Sequence, residues 1–333
     1  MCPRTKKVSD LDNVIAALRT APSVAVLSHI NPEGDAIGAT LGAALALREA
    51  GKVTAAYNAS PLPPGLVSLP GAEALLREVP IRTPYACYLV LDTSDLARTG
   101  GLLDGRPRES VVVNVDHHSG NTRFGEVNWV DPGASSAGEM VYRLLRHGGF
   151  PLSKLVATNL YAAIQTDTGS FQYSNTTPQA LRAAADLVEC GAAVEQIATG
   201  LYENHDAREW RLLSEVLATI QVSGDGRLAW IEVTIDAQQR VGIGLEATEG
   251  FINYVRAVGG VQIAAAFKEV SPTEVKVSLR SRGLVDVARL AEAFGGGGHR
   301  NAAGCTVALP LREARPLVLG AAEQALAGPG RGE

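Results

Sequence analysis

The stretch SVAVLSHINPEGDAIGATLGAALALREAGKVTAAYN (residues 23–58) decides the fold. SVAVLSH (23–29) is a near-continuous apolar run of strand length, as expected for a strand buried on both faces. DAIGATLGAALALREAG (35–51) reads as a helix ended by Gly51, and VTAAYN (53–58) as the next strand. This is a βαβ unit. Two further apolar runs, ACYLVLD (86–92) and VVVNVD (111–116), each end in an aspartate, and helices are expected near 134–147, 153–164 and 178–190. Strands alternating with helices predict an α/β fold, a mostly parallel sheet flanked by helices.

The 333 residues suit two domains, each able to bury a core. We place the first at 1–190, a helical connector at 191–220 and a smaller mixed α/β domain at 221–328. LAWIEVT (228–234), VQIAAAFKEV (261–270) and EVKVSLRS (274–281) supply the strands of that second domain, with a helix near 285–294. The composition, 46% hydrophobic and 20% charged, is that of an ordinary folded protein. No apolar run reaches the length needed to span a bilayer, and MCPRTKKVSD lacks a signal-peptide apolar region, so the expected location is cytoplasmic with no membrane partner. Cys2, Cys87, Cys190 and Cys305 lack C-x-x-C spacing and read as free thiols. A net charge of −5 argues against a broad basic surface tracking long nucleic acid. One segment runs against that background: Lys276, Arg280, Arg282, Arg289 and Arg300 face only Asp286 and Glu292 in charge count.

In open α/β sheets ligands bind beyond the carboxyl ends of the strands. His29, Asp92 and Asp116 each stand at such an end. His29, Glu33 and Asp35 lie within seven residues at a strand-to-helix turn, giving a mixed nitrogen and oxygen donor set; the alternative is that Glu33 or Asp35 caps the helix. Asp116 is followed by His117 and His118, and adjacent residues in extended chain point to opposite sides. One is expected to ligate metal and the other to face substrate. Asp167, in AAIQTDTGSF, adds a carboxylate after an apparent helix. His29, Glu33, Asp35, Asp92, His117 and Asp167 together suffice for two divalent metals sharing a carboxylate, an arrangement suited to phosphate ester hydrolysis. Manganese fits the donors best, with magnesium or cobalt as alternatives.

HINPEGDA, LVLDTSD, VDHHSGN and QTDTGSF, in that order, resemble the motifs of the DHH phosphoesterase superfamily, and SLRSRGLVDVARLAEAFGGGGHRNAAGC (278–305) resembles its DHH-associated C-terminal domain. Together they resemble the nano-RNase and pAp-phosphatase branch and related cyclic-dinucleotide phosphodiesterases. The resemblance implies that His29, Glu33 and Asp92 hold one metal and that Asp35, Asp92, His117 and Asp167 hold the other. It further implies that Asp116 orients the neighbouring histidine, that His118 acts at the scissile phosphate, and that the chain forms a homodimer. In the second domain Gly296, Gly297 and Gly298 offer backbone amides to a phosphate, and Arg280, Ser281, His299, Arg300 and Asn301 add donors.

The expected activity is hydrolysis of very short RNAs and dinucleotides to 5′-mononucleotides, with phosphatase action on pAp. The rivals are a cyclic-dinucleotide phosphodiesterase and a non-catalytic nucleotide sensor of the same fold. The resembled motif opens with an aspartate where this chain has Glu33, and the longer arm predicts weaker occupancy of the first metal. Glu33→Asp is therefore expected to tighten one Mn²⁺ site in a calorimetric titration, and unchanged affinity would refute that expectation.

Overall fold

The computed structural model describes residues 9–79, 85–203, 205–248, 250–283 and 285–327. The chain divides into two compact units, Met1–Asn204 and His205–Glu333. The first holds α1 (Asp10–Thr20), β1 (Ser23–Ser28), α2 (Gly34–Glu49), β2 (Val53–Tyr57), β3 (Cys87–Leu91), β4 (Val111–Asp116), β5 (Val127–Val130), α3 (Ala137–Gly148), α4 (Lys154–Asp167), α5 (Pro178–Glu189) and α6 (Val194–Tyr202). Its five strands are all parallel, in the order β2-β1-β3-β4-β5.

Alternate residues of these strands enter two different cores. Val24, Val26, Leu89, Leu91, Val113 and Val115 join the larger core with the helices, while Ala25, Leu27, Tyr88, Val90 and Val112 join a smaller one with Tyr57, Tyr85, Leu102 and Leu103. Burial on both faces explains why the strands read as continuous apolar runs. β1 is flanked by β2 on one side and β3 on the other, so the winding reverses between β1 and β3. Such a reversal opens a crevice at the carboxyl ends of the two strands. His29 follows one strand and Asp92 the other.

α2 is buried around nearly its whole circumference. Gly34, Gly38 and Gly42, spaced four apart, form a stripe against the antiparallel α4. A Cβ at Gly38 would lie 2.5 Å from the Asn159 carbonyl oxygen, a distance no side chain tolerates. The small stripe lets the two backbones approach, which brings Asp35 at the start of α2 to Asp167 at the end of α4.

The second unit contains α7 (Ala207–Leu217), β6 (Gln221–Val222), β7 (Leu228–Val233), α8 (Ile235–Val241), α9 (Phe251–Arg256), β8 (Ile263–Ser271), β9 (Glu274–Ser281), α10 (Val287–Glu292), β10 (Gly297–His299), β11 (Ala302–Val307) and α11 (Leu311–Ala327). Its mixed sheet runs β10-β11-β9-β8-β7-β6, with only β7 and β8 parallel. One face packs on α10 and α11 and part of the other on α7, α8 and α9.

One reading changes. The stretch expected to be continuously helical contains two helices: Ile197 of α6 packs in the first unit, and Leu212, Leu213 and Val216 of α7 pack in the second. No Gly or Pro marks the break; Asp206 and Glu209 make a capping box that starts α7 afresh. The glycine run whose amides were expected to meet phosphate forms part of the β10–β11 hairpin. At Gly298, with φ of 145°, a Cβ would stand 2.5 Å from the Ala302 carbonyl oxygen, so close strand pairing itself demands glycine there. No helix of the described residues is long and apolar enough to cross a membrane. Cys87 and Cys305 are buried and Cys190 half-buried, all as free thiols; Cys2 lies outside the described residues.

The α2–α4 contact makes a direct prediction. Gly38→Ala is expected to destabilise the protein by about 1–3 kcal/mol through overpacking. Gly120→Ala, whose Cβ would meet nothing within 4 Å, is expected to stay within about 0.5 kcal/mol. Urea unfolding followed by circular dichroism compares the two, and equal midpoints would refute the close-packing account.

Candidate metal centre

Asp92 is the centre of the site. It has a left-handed backbone, φ of 52°, and its side chain is only 1% exposed. Asp tolerates this conformation better than most residues, but at a cost. Its two oxygens face different imidazoles: Oδ2 lies 3.3 Å from His29 Nε2, and Oδ1 lies 3.3 Å from His117 Nε2 and 3.6 Å from His118 Nδ1. Neither oxygen has a donor other than these imidazoles. A buried ionised carboxylate is expensive unless positive charge compensates it. The donor chemistry fits a divalent metal: His29, Glu33 and Asp92 bring one donor atom each to within 4.8 Å of one another, as do Asp35, His117 and Asp167, and Asp92, His117 and His118. These are the residues that could hold one.

The surrounding bonds aim these donors. His29 Nδ1–H donates to the Ile30 carbonyl at 2.8 Å, which leaves Nε2 free to face Asp92. Glu33 stands at the N-cap of α2 yet makes no capping bond, and its side chain is exposed. Asp35 does not cap its own helix either. It accepts from the Ala137 and Gly138 amides at 2.7 and 2.8 Å, the first turn of α3, where the helix dipole favours an anion. The wholly buried Asp116 accepts from His118 Nδ1 at 2.7 Å, from the His117 amide at 2.9 Å and from Asn121 Nδ2 at 2.6 Å. Its partner among the two histidines is therefore His118, whose ring stands 5.0 Å from that of His117. His117 Nε2 instead faces Asp35 Oδ2 at 3.7 Å and Asp167 Oδ2 at 4.0 Å.

The protonation pattern follows from this crowding. Burial pushes the Asp35 carboxyl well above the usual range, and the charges of Asp92 and Asp167 push it further. Burial likewise raises Asp167 to about 7, with Glu33 and Asp92 adding to it against the pull of His117. Burial also works against ionisation of Asp92, but the His117 and His29 imidazoles outweigh it and hold that carboxyl well below its ordinary value. The same contacts overcome burial for both histidines and raise them.

Several contributors escaped the sequence reading. Asn121 sits inside the VDHHSGN motif but carried no assignment; its Nδ2 also reaches the Thr93 carbonyl at 3.1 Å and Asn114 Oδ1 at 2.8 Å, tying the loop after β4 to the loop after β3. Asn175, eight residues past Asp167, donates to that carboxylate at 3.2 Å. Ser135, Ser136 and Glu139 do form a helix start, with Ser136 accepting from the Glu139 amide, and that helix start is what grips Asp35. A pattern of S/T-x-x-E marks a cap but gives no hint of what the next amides face.

The remaining candidates belong to the second unit. Lys276, Ser278 and Arg280 of β9 and Ala302, Gly304 and Thr306 of β11 share one sheet face. They are exposed or half-buried, and the core beneath α7, α8 and α9 takes no member from either strand. Arg280 lies on this open half-face, its Nη1 donating to the Leu279 carbonyl at 3.0 Å. Gly296, Gly297 and Gly298 lead into the hairpin beside it. Ser281 points to the opposite face: it is buried, and its hydroxyl donates to the Val285 carbonyl at 2.8 Å and contacts Asn301 Oδ1 at 3.2 Å, so it braces the loop that carries Arg300 and Asn301.

Comparison with known proteins follows the same division. Residues 23–164 match the DHH family, N-terminal domain, and residues 237–328 match the DHHA1 domain. The chain is 35% identical over 302 residues to the bifunctional oligoribonuclease and PAP phosphatase NrnA of Thermus thermophilus, covering 90% of this chain and 89% of that protein. It is 27% identical over 283 residues to the Bacillus subtilis protein of the same name, covering 84% and 87%. An exopolyphosphatase-related protein from Bacteroides fragilis superposes with a TM-score of 0.86 at 27% identity, over 97% of both chains. RecJ from Thermus thermophilus, solved in complex with Mn²⁺, shares the fold at 16% identity, with a TM-score of 0.51 over 97% of this chain and 55% of that one.

The raised carboxyls fix how the metal-free protein responds to pH. Asp35 and Asp167 bind protons in the folded state that they release in the unfolded chain above their ordinary pKa of 3.8, so each costs stability as pH rises above that value, Asp167 up to about 7. The raised His117 and His29 act in the same direction above 6.5, and the lowered Asp92 titrates below this window. After chelation the melting temperature is expected to fall between pH 5.5 and pH 8, and Mn²⁺ to raise it more at pH 8, where fewer protons compete for the ligands. A melting temperature that rises with pH in chelator would contradict the burial of these carboxyls.

Proposed function

The chain belongs to the DHH family of phosphoesterases, and we propose that it hydrolyses very short RNAs and dinucleotides to 5′-mononucleotides and also removes phosphate from pAp. The single observation that carries this reading is Asp92: one buried carboxylate, faced only by imidazoles, whose two oxygens face two separate donor sets. That is the arrangement a carboxylate shared by two cations requires. His29, Glu33 and Asp92 would hold one divalent metal, and Asp35, Asp92, His117 and Asp167 the other. Bound there, such metals lower the pKa of water and neutralise charge on phosphoryl oxygens. Manganese is the proposed occupant, because carboxylate and imidazole donors without thiolate suit it and disfavour structural zinc.

The chain's own residues supply the rest. His118, locked by Asp116 with its proton on Nδ1, is positioned to act at the leaving oxygen. The bond to a buried carboxylate fixes the ring in one orientation, so the imidazole needs no reorganisation during reaction. In the second unit, Lys276 and Arg280 put positive charge on a sheet half-face, flanked by the small Ser278, Ala302 and Gly304. A small-residue surface with two cations accepts a nucleotide phosphate, and we assign substrate binding to it together with the amides around Gly297 and the donors of Arg300 and Asn301; the side chain of His299 lies outside the described residues. At Gly297, as at Gly295, a Cβ would meet nothing within 4 Å, so a ligand can come close to the backbone there. The relatives' names, oligoribonuclease and PAP phosphatase, support the substrate class.

A substrate panel with Mn²⁺ tests the proposal, comparing pApA, pAp, pGpG, short RNA and cyclic dinucleotides. Cleavage of pApA and pAp to mononucleotide is expected, with kcat reduced by about 10²–10⁴-fold in His118→Ala. Arg280→Ala is expected to raise KM with a smaller effect on kcat. Protein that binds pApA but cleaves it with no divalent metal would instead be a nucleotide sensor.

A further inference from the structure

α4 ends at Asp167, and the chain leaves it through an unusual turn. Gly169, Ser170 and Phe171 all have left-handed backbone, with φ of 56°, 57° and 63°. For Ser170 and Phe171 this conformation is strained, and it persists only where surrounding bonds over-determine it. Those bonds are present: the Ser170 amide donates to the Gln165 carbonyl at 2.7 Å, the Phe171 amide to Thr168 Oγ1 at 3.2 Å, and the Tyr173 amide to the Thr168 carbonyl at 3.0 Å. The effect of the turn is to fold the chain back so that Asn175 returns to the end of the helix it has just left.

Asn175 Nδ2 there reaches three acceptors: the Ser135 carbonyl at 2.9 Å, the Asp167 carbonyl at 3.1 Å and Asp167 Oδ2 at 3.2 Å. Three oxygens around one side-chain atom leave no doubt which end of the amide points at them, since only the NH₂ end donates. Ser135 is itself fixed, its amide and hydroxyl both donating to Glu139 Oε2, at 2.9 and 2.8 Å. Two residues later begin the amides of Ala137 and Gly138 that grip Asp35. Asp35 and Asp167 come from two different helices, yet both are referenced to one short piece of backbone at the start of α3.

We propose that Asn175 is the positioning residue of the Asp35, His117 and Asp167 metal site, setting the Asp167 carboxylate against the same α3 start that sets Asp35. This rests on the two-metal reading above. An amide suits the task because it donates without charge: it orients the carboxylate while leaving its negative charge for a cation, where a lysine would neutralise it. The His29, Glu33 and Asp92 site makes no bond to Asn175 or to the start of α3 among the described residues. Loss of the amide therefore acts on one site of the pair.

The test is Mn²⁺ binding by the full chain, read by calorimetry and by the electron paramagnetic resonance of coupled Mn²⁺, with the melting temperature of the metal-free protein measured alongside. Wild type is expected to bind two Mn²⁺. Asn175→Ala is expected to keep one site unchanged and weaken the other by about 10–100-fold, with loss of the coupled signal at Mn²⁺ levels that saturate wild type. Asn175→Ser keeps a short donor, is expected to weaken the same site less, and takes the place of the alanine variant if that chain does not fold. A purely structural role would lower the melting temperature and move both sites together or neither, and either pattern would overturn the proposal. Wild type binding a single Mn²⁺ would sink the two-metal reading itself, an outcome visible before any variant is made.

Discussion

The buried carboxylate of Asp92 is the constraint on which the first unit depends. A charged group 1% exposed, on strained backbone and faced only by imidazoles, is costly to bury, and the groups near it work to hold it there. The Asp92 amide donates to the Val115 carbonyl, which ties the turn to β4. The next carbonyl, that of Thr93, accepts from both Asn114 and Asn121. The parallel sheet matters for the same reason: reversal of the winding at β1 and β3 is what puts His29 and Asp92 on neighbouring strand ends, 3.3 Å apart at their nearest atoms.

A second feature follows from the first. Among the described residues no lysine or arginine pairs with Asp35, Asp92 or Asp167; their ion pairs are all with imidazoles. The fixed partners are neutral, namely the amides of Ala137 and Gly138 and the side chain of Asn175. Neutral donors set direction without cancelling charge, so the negative charge is retained for something mobile. Protons do this in the metal-free protein, which is why Asp35 and Asp167 are raised. Divalent cations do it better, since each replaces more than one proton and accepts several ligands at once. The glycine stripe of α2 is part of the same design, because only close helix packing brings the two raised carboxyls together.

Much of this was legible in the sequence, for physical reasons. A strand buried on both faces has no choice but to be apolar throughout, so β1, β3 and β4 announce themselves, and the first charged residue after each is where the apolar requirement stops. Hence His29, Asp92 and Asp116 stood out. The orienting groups did not, because nothing local distinguishes an asparagine that tethers a carboxylate from one that shapes a turn: Asn121 and Asn175 act on partners brought near by tertiary structure. The amides of Ala137 and Gly138 carry no side-chain signature at all. The break between α6 and α7 was missed because a capping box at Asp206 and Glu209 ends one helical reading and begins another without a helix breaker. The glycine run carried the expectation of phosphate binding, and the structure shows that Gly298 is required by strand pairing whatever else the hairpin does. Ser281, singled out as a ligand donor, braces a loop, because strand alternation turns it to the core side of the sheet while Arg280 faces out.

The acidic net charge also takes on a different meaning. Read from composition, −5 weighs against binding polyanions. Glu33, Asp35, Asp92 and Asp167 contribute four of the negative charges, and all four sit in the groups with metal-binding geometry. Two divalent cations carry as much positive charge as these four carry negative, so the proposed metal-bound protein is close to neutral. The composition thus describes a precursor of the working state. What remains informative is local arrangement: Lys276 and Arg280 stand on one half-face of the second unit. A protein that grips many successive phosphates needs a long track of such cations, since affinity grows with each counterion released. A half-face carrying Lys276 and Arg280 offers contacts to a very small number of phosphates. Short substrates are therefore favoured by how the positive charge is arranged, and the net charge by itself would have been the wrong reason for the same conclusion.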